Sequence, residues 1–199
     1  MRRLAYRGRV RQARDVVPEA PLEHTENGIV ASGDGWYVLN ARDTRWYYVK
    51  GRGAFCDLEG DQNFSQLGIN VQVLEPGEAM AMYHWEADQE DFLVLSGEAL
   101  LIVEGEERPL RAWDFVHCPP NTKHTILGAG DGPCIVVAVG ARIDSVDNPN
   151  WGGYTVDDVA LRHEAGVEEE TNDPDIAYGT AWAKHGKREP MPYRDGWLP

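Results

Sequence analysis

The sequence predicts an all-β fold in which short strands build one small antiparallel barrel or sandwich. About seven apolar segments follow one another between residues 67 and 139, each bounded by turn residues such as Gly, Pro, Asn or Asp. This spacing is typical of antiparallel barrels and sandwiches. The chain also contains 21 Gly and 12 Pro in 199 residues, which favours many turns over a helix bundle. A chain of this length is expected to form one domain with additions.

The clearest strand spans residues 69–74, where apolar and polar residues alternate strictly up to the turn pair Pro76-Gly77. Before it, two short aromatic strands are predicted at residues 36–39 and 46–49, and residues 51–62 are predicted as a loop. After it, apolar segments between turns predict strands at residues 79–86, 91–95, 99–103, 108–110, 113–117, 124–127 and 134–139.

One helix is predicted near the C-terminus. Thr155 is a suitable N-cap, Asp158 supplies an acidic residue three positions later, and Gly166 is suited to end the helix. The tail beyond it contains Trp182 and Trp197, which we expect to dock on the barrel or on a neighbouring chain. The predicted organisation is a basic arm and polar lead-in (residues 1–34), a barrel (35–141, core motifs 67–141) and a C-terminal extension with one short helix (142–199).

The charge distribution argues against nucleic acids and membranes as partners. Six of the 19 basic residues are arginines that precede Asp15, the first of the 33 acidic residues, and the formal net charge is −14. An acidic body repels nucleic-acid phosphates and anionic membranes, and the short basic arm is expected to lie across an acidic surface. No apolar run approaches the ~18 residues of a membrane span, and the N-terminus lacks the apolar stretch of a secretory signal. A cytoplasmic protein is therefore predicted.

Three cysteines, Cys56, Cys118 and Cys134, are widely spaced and form no Cys-x-x-Cys pair. Their odd number and their apolar surroundings predict reduced, buried and chemically inert thiols.

The residues best suited to catalysis or metal binding lie between residues 76 and 124. On a strand, side chains two positions apart share a face, so Met80, Met82, His84 and Glu86 are expected to point the same way. Glu90 begins the next strand, and His124 opens a later one. If neighbouring strands direct these groups into one cavity, His84, Glu86, Glu90 and His124 form a shell suited to a divalent Zn, Mn, Fe, Co or Ni ion.

The spacing of these residues resembles the first motif of the cupin superfamily, whose members are small jelly-roll β-barrels. That motif contains Gly, His-x-His, three or four residues, Glu, six residues and Gly. Here Gly77 is followed by His84-x-Glu86, three residues, Glu90, six residues and Gly97. Glu86 stands where the family usually has its second histidine ligand.

The second cupin motif contains Gly, five residues, Pro-x-Gly, two residues and His. This chain reads Trp113, five residues, Pro119-x-Asn121, two residues and His124. Trp113 replaces the first glycine, so that turn is expected to differ from the usual one. Asn121 replaces the other, a mild change because Asn tolerates left-handed backbone conformations.

The resemblance covers residues 67–141 and implies an all-β, cupin-type double-stranded β-helix (jelly-roll) barrel. It also implies His84, Glu90 and His124 as ligands of a divalent metal. Glu86 is a fourth candidate ligand, a general base beside the metal or a solvated rim residue. The alternative is a purely structural role, in which these histidines are hydrogen-bonded core residues in a cupin without metal.

Two kinds of function follow from the resemblance. One is an enzyme of isomerase, decarboxylase or dioxygenase type that acts on a small oxygen-containing metabolite. The alternative is a non-catalytic cupin that binds a sugar or small acid, or a dimeric scaffold. A phosphorylated sugar is not favoured, because the only basic residues near the motifs are Arg108, Arg111 and Lys123. The long termini favour a homodimer.

The remaining aromatic and histidine residues are assigned simpler roles. Tyr83, Trp85 and Trp113 are expected at a dimer or sheet interface, whereas His117 is left open between the cavity and the opposite face. The other histidines lie in polar segments and are expected at the surface; they are His24, His163 and His185.

Overall fold

The computed structural model describes residues 16–143, 148, 150–179 and 188–199. The basic arm, Trp182 and His185 lie outside these ranges. The strands are β1 (Leu22–Thr25), β2 (Gly28–Ala31), β3 (Trp46–Val49), β4 (Gly53–Cys56), β5 (Leu67–Leu74), β6 (His84–Glu86), β7 (Glu90–Ser96), β8 (Glu98–Val103), β9 (Glu106–Arg111), β10 (Phe115–Cys118), β11 (His124–Ala129), β12 (Cys134–Ala141), β13 (Gly152–Tyr154) and β14 (Glu189–Met191). The helices are α1 (Asp158–Arg162) and α2 (Pro174–Ala177).

Two antiparallel sheets form the body of the protein. The larger has seven strands in the order β10-β7-β12-β5-β4-β3-β14, and the smaller has five in the order β13-β6-β11-β8-β9. Consecutive strands β7 and β8 belong to different sheets, and so do β11 and β12. The predicted all-β, double-stranded β-helix (jelly-roll) fold is confirmed. The division of the chain at residues 34 and 141 stays a prediction.

The main core lies between the two sheets. Side chains that alternate along the strands point inward and pack together; they include Leu74, Phe92, Val94, Ile126 and Val136. Burying one such side chain contributes about 1.5–3 kcal/mol, so this layer is a major source of stability. The expectation of buried, reduced cysteines is confirmed for Cys56, Cys118 and Cys134, which are all buried and free.

Two turns explain how the strands are connected. Glu104 (φ 48°) and Gly105 (φ 78°) form the two-residue loop of the β8–β9 hairpin, the left-handed geometry that such hairpins favour. Gly97 (φ 75°) joins β7 to β8 where the chain changes sheet. A Cβ atom at residue 97 would lie 2.6 Å from the carbonyl oxygen of Pro133, so only glycine fits.

The outer face of the larger sheet is covered by a second apolar cluster around Trp46. The indole is fully buried, donates a hydrogen bond to the carbonyl of Ala41 (2.8 Å) and packs against Tyr193 and Trp197 of the C-terminal tail. Trp197 therefore docks on the barrel, as the sequence indicated.

Several sequence-based element assignments are wrong. Residues 36–39 form no strand and contribute only an isolated bridge between Trp36 and Glu19. The predicted loop at residues 51–62 contains β4, which pairs with both β3 and β5. The predicted strand at residues 79–86 is reduced to β6, because the chain before it runs as isolated bridges and bends. As a result, Met82 does not share a face with His84 and packs with Val167 and Ala177 instead.

The helix cap also differs from the prediction. Asp157, not Thr155, is the N-cap of α1, and its side chain accepts a hydrogen bond from the backbone N–H of Ala160 (2.9 Å). The helix ends at Arg162 with His163 as its C-cap and does not reach Gly166. Thr155 is buried, and its hydroxyl has no hydrogen-bond partner among the described residues. Neither helix of the described residues approaches the length and apolar character that a membrane span requires.

Candidate metal centre

The two candidate histidines are brought together by strand pairing in the smaller sheet. β6 and β11 run antiparallel with His84 directly opposite His124, and the ring centroids are 5.0 Å apart. Both rings line the same cavity between the sheets. His124 is almost completely buried, and its ring packs 5.2 Å from that of Phe92.

Backbone carbonyls fix the orientation of both imidazole rings. Nδ1 of His84 lies 2.8 Å from the carbonyl oxygen of Met82, and Nδ1 of His124 lies 3.0 Å from that of Thr122. Since a carbonyl oxygen only accepts hydrogen bonds, each Nδ1 carries the hydrogen. Each neutral ring therefore presents the lone pair of its Nε2, the arrangement found in metal-binding histidines.

Glu90 faces both imidazoles from the larger sheet. Its Oε2 lies 3.4 Å from Nε2 of His124 and 3.7 Å from Nε2 of His84. In the part of the chain that the structure describes, Oε2 of Glu90 and Nε2 of His124 are buried polar atoms without a hydrogen-bond partner. Such orphaned atoms are costly unless something else, such as a cation, satisfies them.

Burial also disfavours every charge that these residues could carry by themselves. Desolvation lowers the pKa of His84 to about 3, with a further contribution from His124. Desolvation lowers the pKa of His124 and raises the pKa of Glu90, and the neighbouring Glu86 raises the latter further. Neutral imidazoles are the form that binds metal, and a bound cation would stabilise the carboxylate.

Glu86 lies at the edge of this cluster. Its Oε1 is 3.8 Å from Nε2 of His84, but it is not among the three residues whose ligand atoms all lie within 4.8 Å of one another, which are His84, Glu90 and His124. Desolvation raises the pKa of Glu86, and the negative charge of Asp88 raises it further. The backbone carbonyl of Glu86 accepts a hydrogen bond from the N–H of Asn121 (2.7 Å), which ties the two motifs together.

The three central residues fit a divalent ion. Ligand atoms bound at about 2.1 Å to one tetrahedral ion lie about 3.4 Å apart. The separations of 3.4 and 3.7 Å from Glu90 to the two histidines are close to this value. Two imidazoles and a carboxylate suit borderline divalent ions such as Zn, Mn, Fe, Co or Ni.

The cavity around the cluster has a volume of about 530 Å³. Two small residues on β12, Ala138 and Gly140, also line the cavity, and Gly140 pairs directly with Glu90. The C-terminal extension contributes Trp151, Tyr154, Tyr178 and Arg188 to the wall. None of the four was predicted. The richness of the extension in aromatic residues was a signal for the first three, and nothing in the sequence indicated Arg188.

The basic residues near the site are also not those expected from the motifs. Arg108 and Arg111 are exposed on β9, and neither they nor Lys123 lines the cavity. Arg142 and Arg188 line it instead. Arg142 is held by Glu59, to which it donates two hydrogen bonds of 2.6 and 2.9 Å.

The other candidate residues lie outside the cavity. His117 is exposed on β10 and hydrogen-bonds Asp91 (2.7 Å), which resolves the open question about its direction. His24 is exposed, and His163 contacts Glu107 (2.9 Å) at the surface. Tyr83 is buried within the chain, where its hydroxyl accepts a hydrogen bond from the N–H of Gly105 (3.1 Å). Trp85 is half-buried on β6.

The two positions that depart from the second cupin motif keep a glycine-like backbone. Trp113 has φ 76° and Asn121 has φ 70°. Trp113 thus adopts the left-handed conformation that glycine adopts most easily, and the expectation that this turn differs from the usual one stays a prediction. The side chain of Trp113 is 74% exposed.

Comparison with known proteins is consistent with this geometry. The family model for the cupin domain matches residues 70–140, which contain all four candidate site residues. No curated protein matches the chain.

Several solved structures are similar. A sugar phosphate isomerase of the cupin superfamily from Silicibacter pomeroyi is 28% identical, with a TM-score of 0.40, over 51% of this chain and 62% of that one. A protein from Acidithiobacillus ferrooxidans, named provisionally as a sugar phosphate isomerase, is 31% identical, with a TM-score of 0.38, over 40% of this chain and 52% of that one. This chain thus covers less than two thirds of either protein.

A predicted oxalate decarboxylase from Thermotoga maritima is 19% identical, with a TM-score of 0.47, over 53% of this chain and 98% of that one. The assignment of this region to a family rests on the match of the cupin family model and on the two motifs that meet in the cavity. The chain therefore contains a cupin domain at residues 70–140.

Proposed function

We propose that the protein binds a divalent metal ion through His84, Glu90 and His124 and acts on a small oxygen-containing metabolite, in a reaction of isomerase, decarboxylase or dioxygenase type. The observation that carries this proposal is the pair of buried, orphaned atoms, Nε2 of His124 and Oε2 of Glu90, 3.4 Å apart. A purely structural histidine would have a partner for its second ring nitrogen.

A bound divalent ion would supply Lewis acidity toward a carbonyl or hydroxyl oxygen, and iron would add chemistry with dioxygen. The protein's own residues prepare the site. The carbonyls of Met82 and Thr122 hold the imidazoles with Nε2 toward the cavity. Glu86, whose pKa is raised by burial, is placed to hold or release a proton beside the cluster, which is the role of a general acid or base. It is also the fourth candidate ligand.

The test is elemental analysis of protein purified without chelators and without a metal-affinity column. We expect about one equivalent of a divalent metal per chain, lost in His84→Ala. The matched control is His117→Ala, which removes an exposed histidine outside the cavity and should leave metal content unchanged. Metal-free wild-type protein with an intact fold would overturn the metal-dependent proposal and support the non-catalytic alternative.

We also propose that the protein is a cytoplasmic homodimer. β10 is the edge strand of the larger sheet among the described residues, and it presents Phe115 with 64% exposure next to the exposed Trp113. Large exposed aromatics at a sheet edge are typical of association surfaces. Sedimentation analysis of the wild type and of Phe115→Ser tests the oligomeric state, since the substitution should shift a dimer toward monomer.

A further inference from the structure

A second cavity adjoins the one at the candidate metal centre. It has a volume of about 460 Å³ and is lined by Arg52 and Phe55 among other residues. The two cavities share four lining residues, which are Met80, Tyr154, Tyr178 and Arg188. A molecule that contacts the His84–Glu90–His124 cluster could therefore extend past the two tyrosines into the second space.

Two guanidinium groups flank this second cavity. Arg52, at the turn between β3 and β4, lies 5.9 Å from the ring centroid of Tyr178 and donates a hydrogen bond to the carbonyl oxygen of Glu164 (3.1 Å). Arg188, just before β14, lies 4.6 Å from the ring centroid of Phe55. Aromatic rings thus hold both guanidinium groups at the cavity wall.

Neither arginine forms an ion pair with any carboxylate of the described residues. Arg45, by comparison, is paired with Asp57 (2.6 Å), and Arg142, which lines the first cavity, is paired with Glu59 (2.6 Å). Arg188 is exposed and therefore solvated, but Arg52 is half-buried. In a chain with 33 acidic and 19 basic residues, the lack of an ion-pair partner for a half-buried arginine at a shared cavity requires an explanation.

Arg52 is also partly withdrawn from water. Desolvation lowers its pKa, and Tyr178, followed by Glu164, only partly opposes that effect. A partly buried cation without a counter-ion is costly, and that cost is removed when an anion enters. A planar guanidinium is well suited to bind the oxygens of a carboxylate or phosphate through two parallel hydrogen bonds.

We propose that Arg52 and Arg188 form an anion-binding subsite for a carboxylate or phosphate group of the substrate, whose remaining oxygen atoms reach the His84–Glu90–His124 cluster. This inference rests on the proposed function for its link to the metal centre. Both arginines lie outside the cupin match at residues 70–140. The segments that flank the cupin domain thus select the substrate class.

Three compounds with one carbon skeleton test the proposal: glycerol 3-phosphate, glycerate and glycerol. Isothermal titration uses the full chain, first treated with chelator so that metal does not contribute to anion binding. We expect at least one of the two anions to bind and glycerol not to bind. The tighter anion identifies the group that the subsite takes. Arg188→Gln should weaken that binding about tenfold or more. Arg188→Lys keeps the charge but loses the planar group that gives two parallel hydrogen bonds, so its affinity should lie between those of the wild type and Arg188→Gln.

Arg111→Gln is the matched control, because it removes the same charge from an exposed position on β9. It should bind the anion as the wild type does. Arg188 is itself exposed, so its replacement should leave the fold intact, which circular dichroism checks. Anion binding that is unchanged in both Arg188→Gln and Arg52→Gln, or glycerol binding as tight as that of the anions, would overturn the proposal.

Arg188→Gln also separates this proposal from the metal proposal. It leaves His84, Glu90 and His124 in place, so its metal content should equal that of the wild type while its anion binding is weakened. If the metal proposal fails, the anion result still stands by itself. If the anion subsite fails, the metal content measured above is unaffected.

Discussion

His84 and His124 face each other directly across the antiparallel pair β6–β11, and each donates its Nδ1 hydrogen to the carbonyl oxygen of the residue two positions earlier in the chain. This repeated arrangement leaves both Nε2 atoms directed toward Glu90. Both imidazole rings are thus oriented by the backbone and not by side-chain partners.

Removal of metal should lower the thermal stability of the wild-type protein. At a free metal concentration a hundred times Kd, binding stabilises the folded state by about 2.7 kcal/mol, which is a shift in Tm of roughly 5–10 °C for a chain of this size. We expect this decrease on addition of EDTA in scanning calorimetry. His84→Ala should melt at the same temperature with and without EDTA, and an equal response of both proteins would contradict the assignment.

The convergence of His84, Glu90 and His124 was expected from the spacing of the two motifs and from the family resemblance that this spacing carries. Alternation along the strand helped only in part, because Met82 does not share a face with His84. The shift of the N-cap from Thr155 to Asp157 was not predictable, since both residue types cap helices. The choice depends on Tyr154, which is held in β13 and in a bridge to Thr171.

The part of the cavity wall that the C-terminal extension contributes could not be predicted for a different reason. Tyr154 lines the cavity because β13 pairs with β6, and Tyr178 is positioned by the hydrogen bond that its hydroxyl accepts from the N–H of Met82 (3.1 Å). These contacts join residues that are far apart in the sequence, and no local periodicity indicates them. For the same reason the segment of β4, which is stabilised by its two neighbouring strands, was predicted as a loop.

Replacing Glu90 and Glu86 separately by glutamine should distinguish a ligand from a neighbour. Glu90 faces both histidines at 3.4 and 3.7 Å, whereas Glu86 approaches only His84, at 3.8 Å. We expect Glu90→Gln to weaken zinc binding about a hundredfold or more and Glu86→Gln to weaken it less than about tenfold. Competition with a fluorescent zinc chelator gives both dissociation constants. The opposite order would make Glu86 the principal carboxylate ligand.

The N-cap of α1 gives a test of the local structure in the C-terminal extension. Asp157→Ala removes the carboxylate that accepts a hydrogen bond from the N–H of Ala160, and it should lower the free energy of unfolding by about 1 kcal/mol. Asp157→Asn, which keeps a capping oxygen, should cost much less. Thr155→Val removes a buried hydroxyl that has no hydrogen-bond partner in the part of the chain that the structure describes, so it should be neutral or stabilising. Urea denaturation of the three variants checks these values, and a larger loss at Thr155 than at Asp157 would restore Thr155 as the cap.

The three cysteines should be unreactive in the folded protein. Burial raises the pKa of Cys56 to about 11 and that of Cys134 to about 11, so almost no thiolate is present at pH 8. Cys118 is buried as well. We expect Ellman's reagent to detect no rapidly reacting thiol in the native protein and all three cysteines in guanidinium chloride. One fast-reacting thiol under native conditions would show that the corresponding part of the barrel opens readily.

Trp113 is expected to strain the backbone, and its replacement by glycine should relieve that strain. A bulky residue at φ 76° costs on the order of 1 kcal/mol that glycine does not, and the side chain is 74% exposed, so little packing is lost with it. Glycine also increases the conformational entropy of the unfolded chain, which offsets part of the gain. We therefore expect Trp113→Gly to raise the free energy of unfolding by about 0.5 kcal/mol, measured by denaturant titration at concentrations where the variant and the wild type have the same oligomeric state. Asn121→Gly is the matched control at φ 70°, and it should be nearly neutral because Asn already tolerates this conformation. A loss of stability in Trp113→Gly at the same oligomeric state would show that the exposed indole makes contacts strong enough to outweigh the strain.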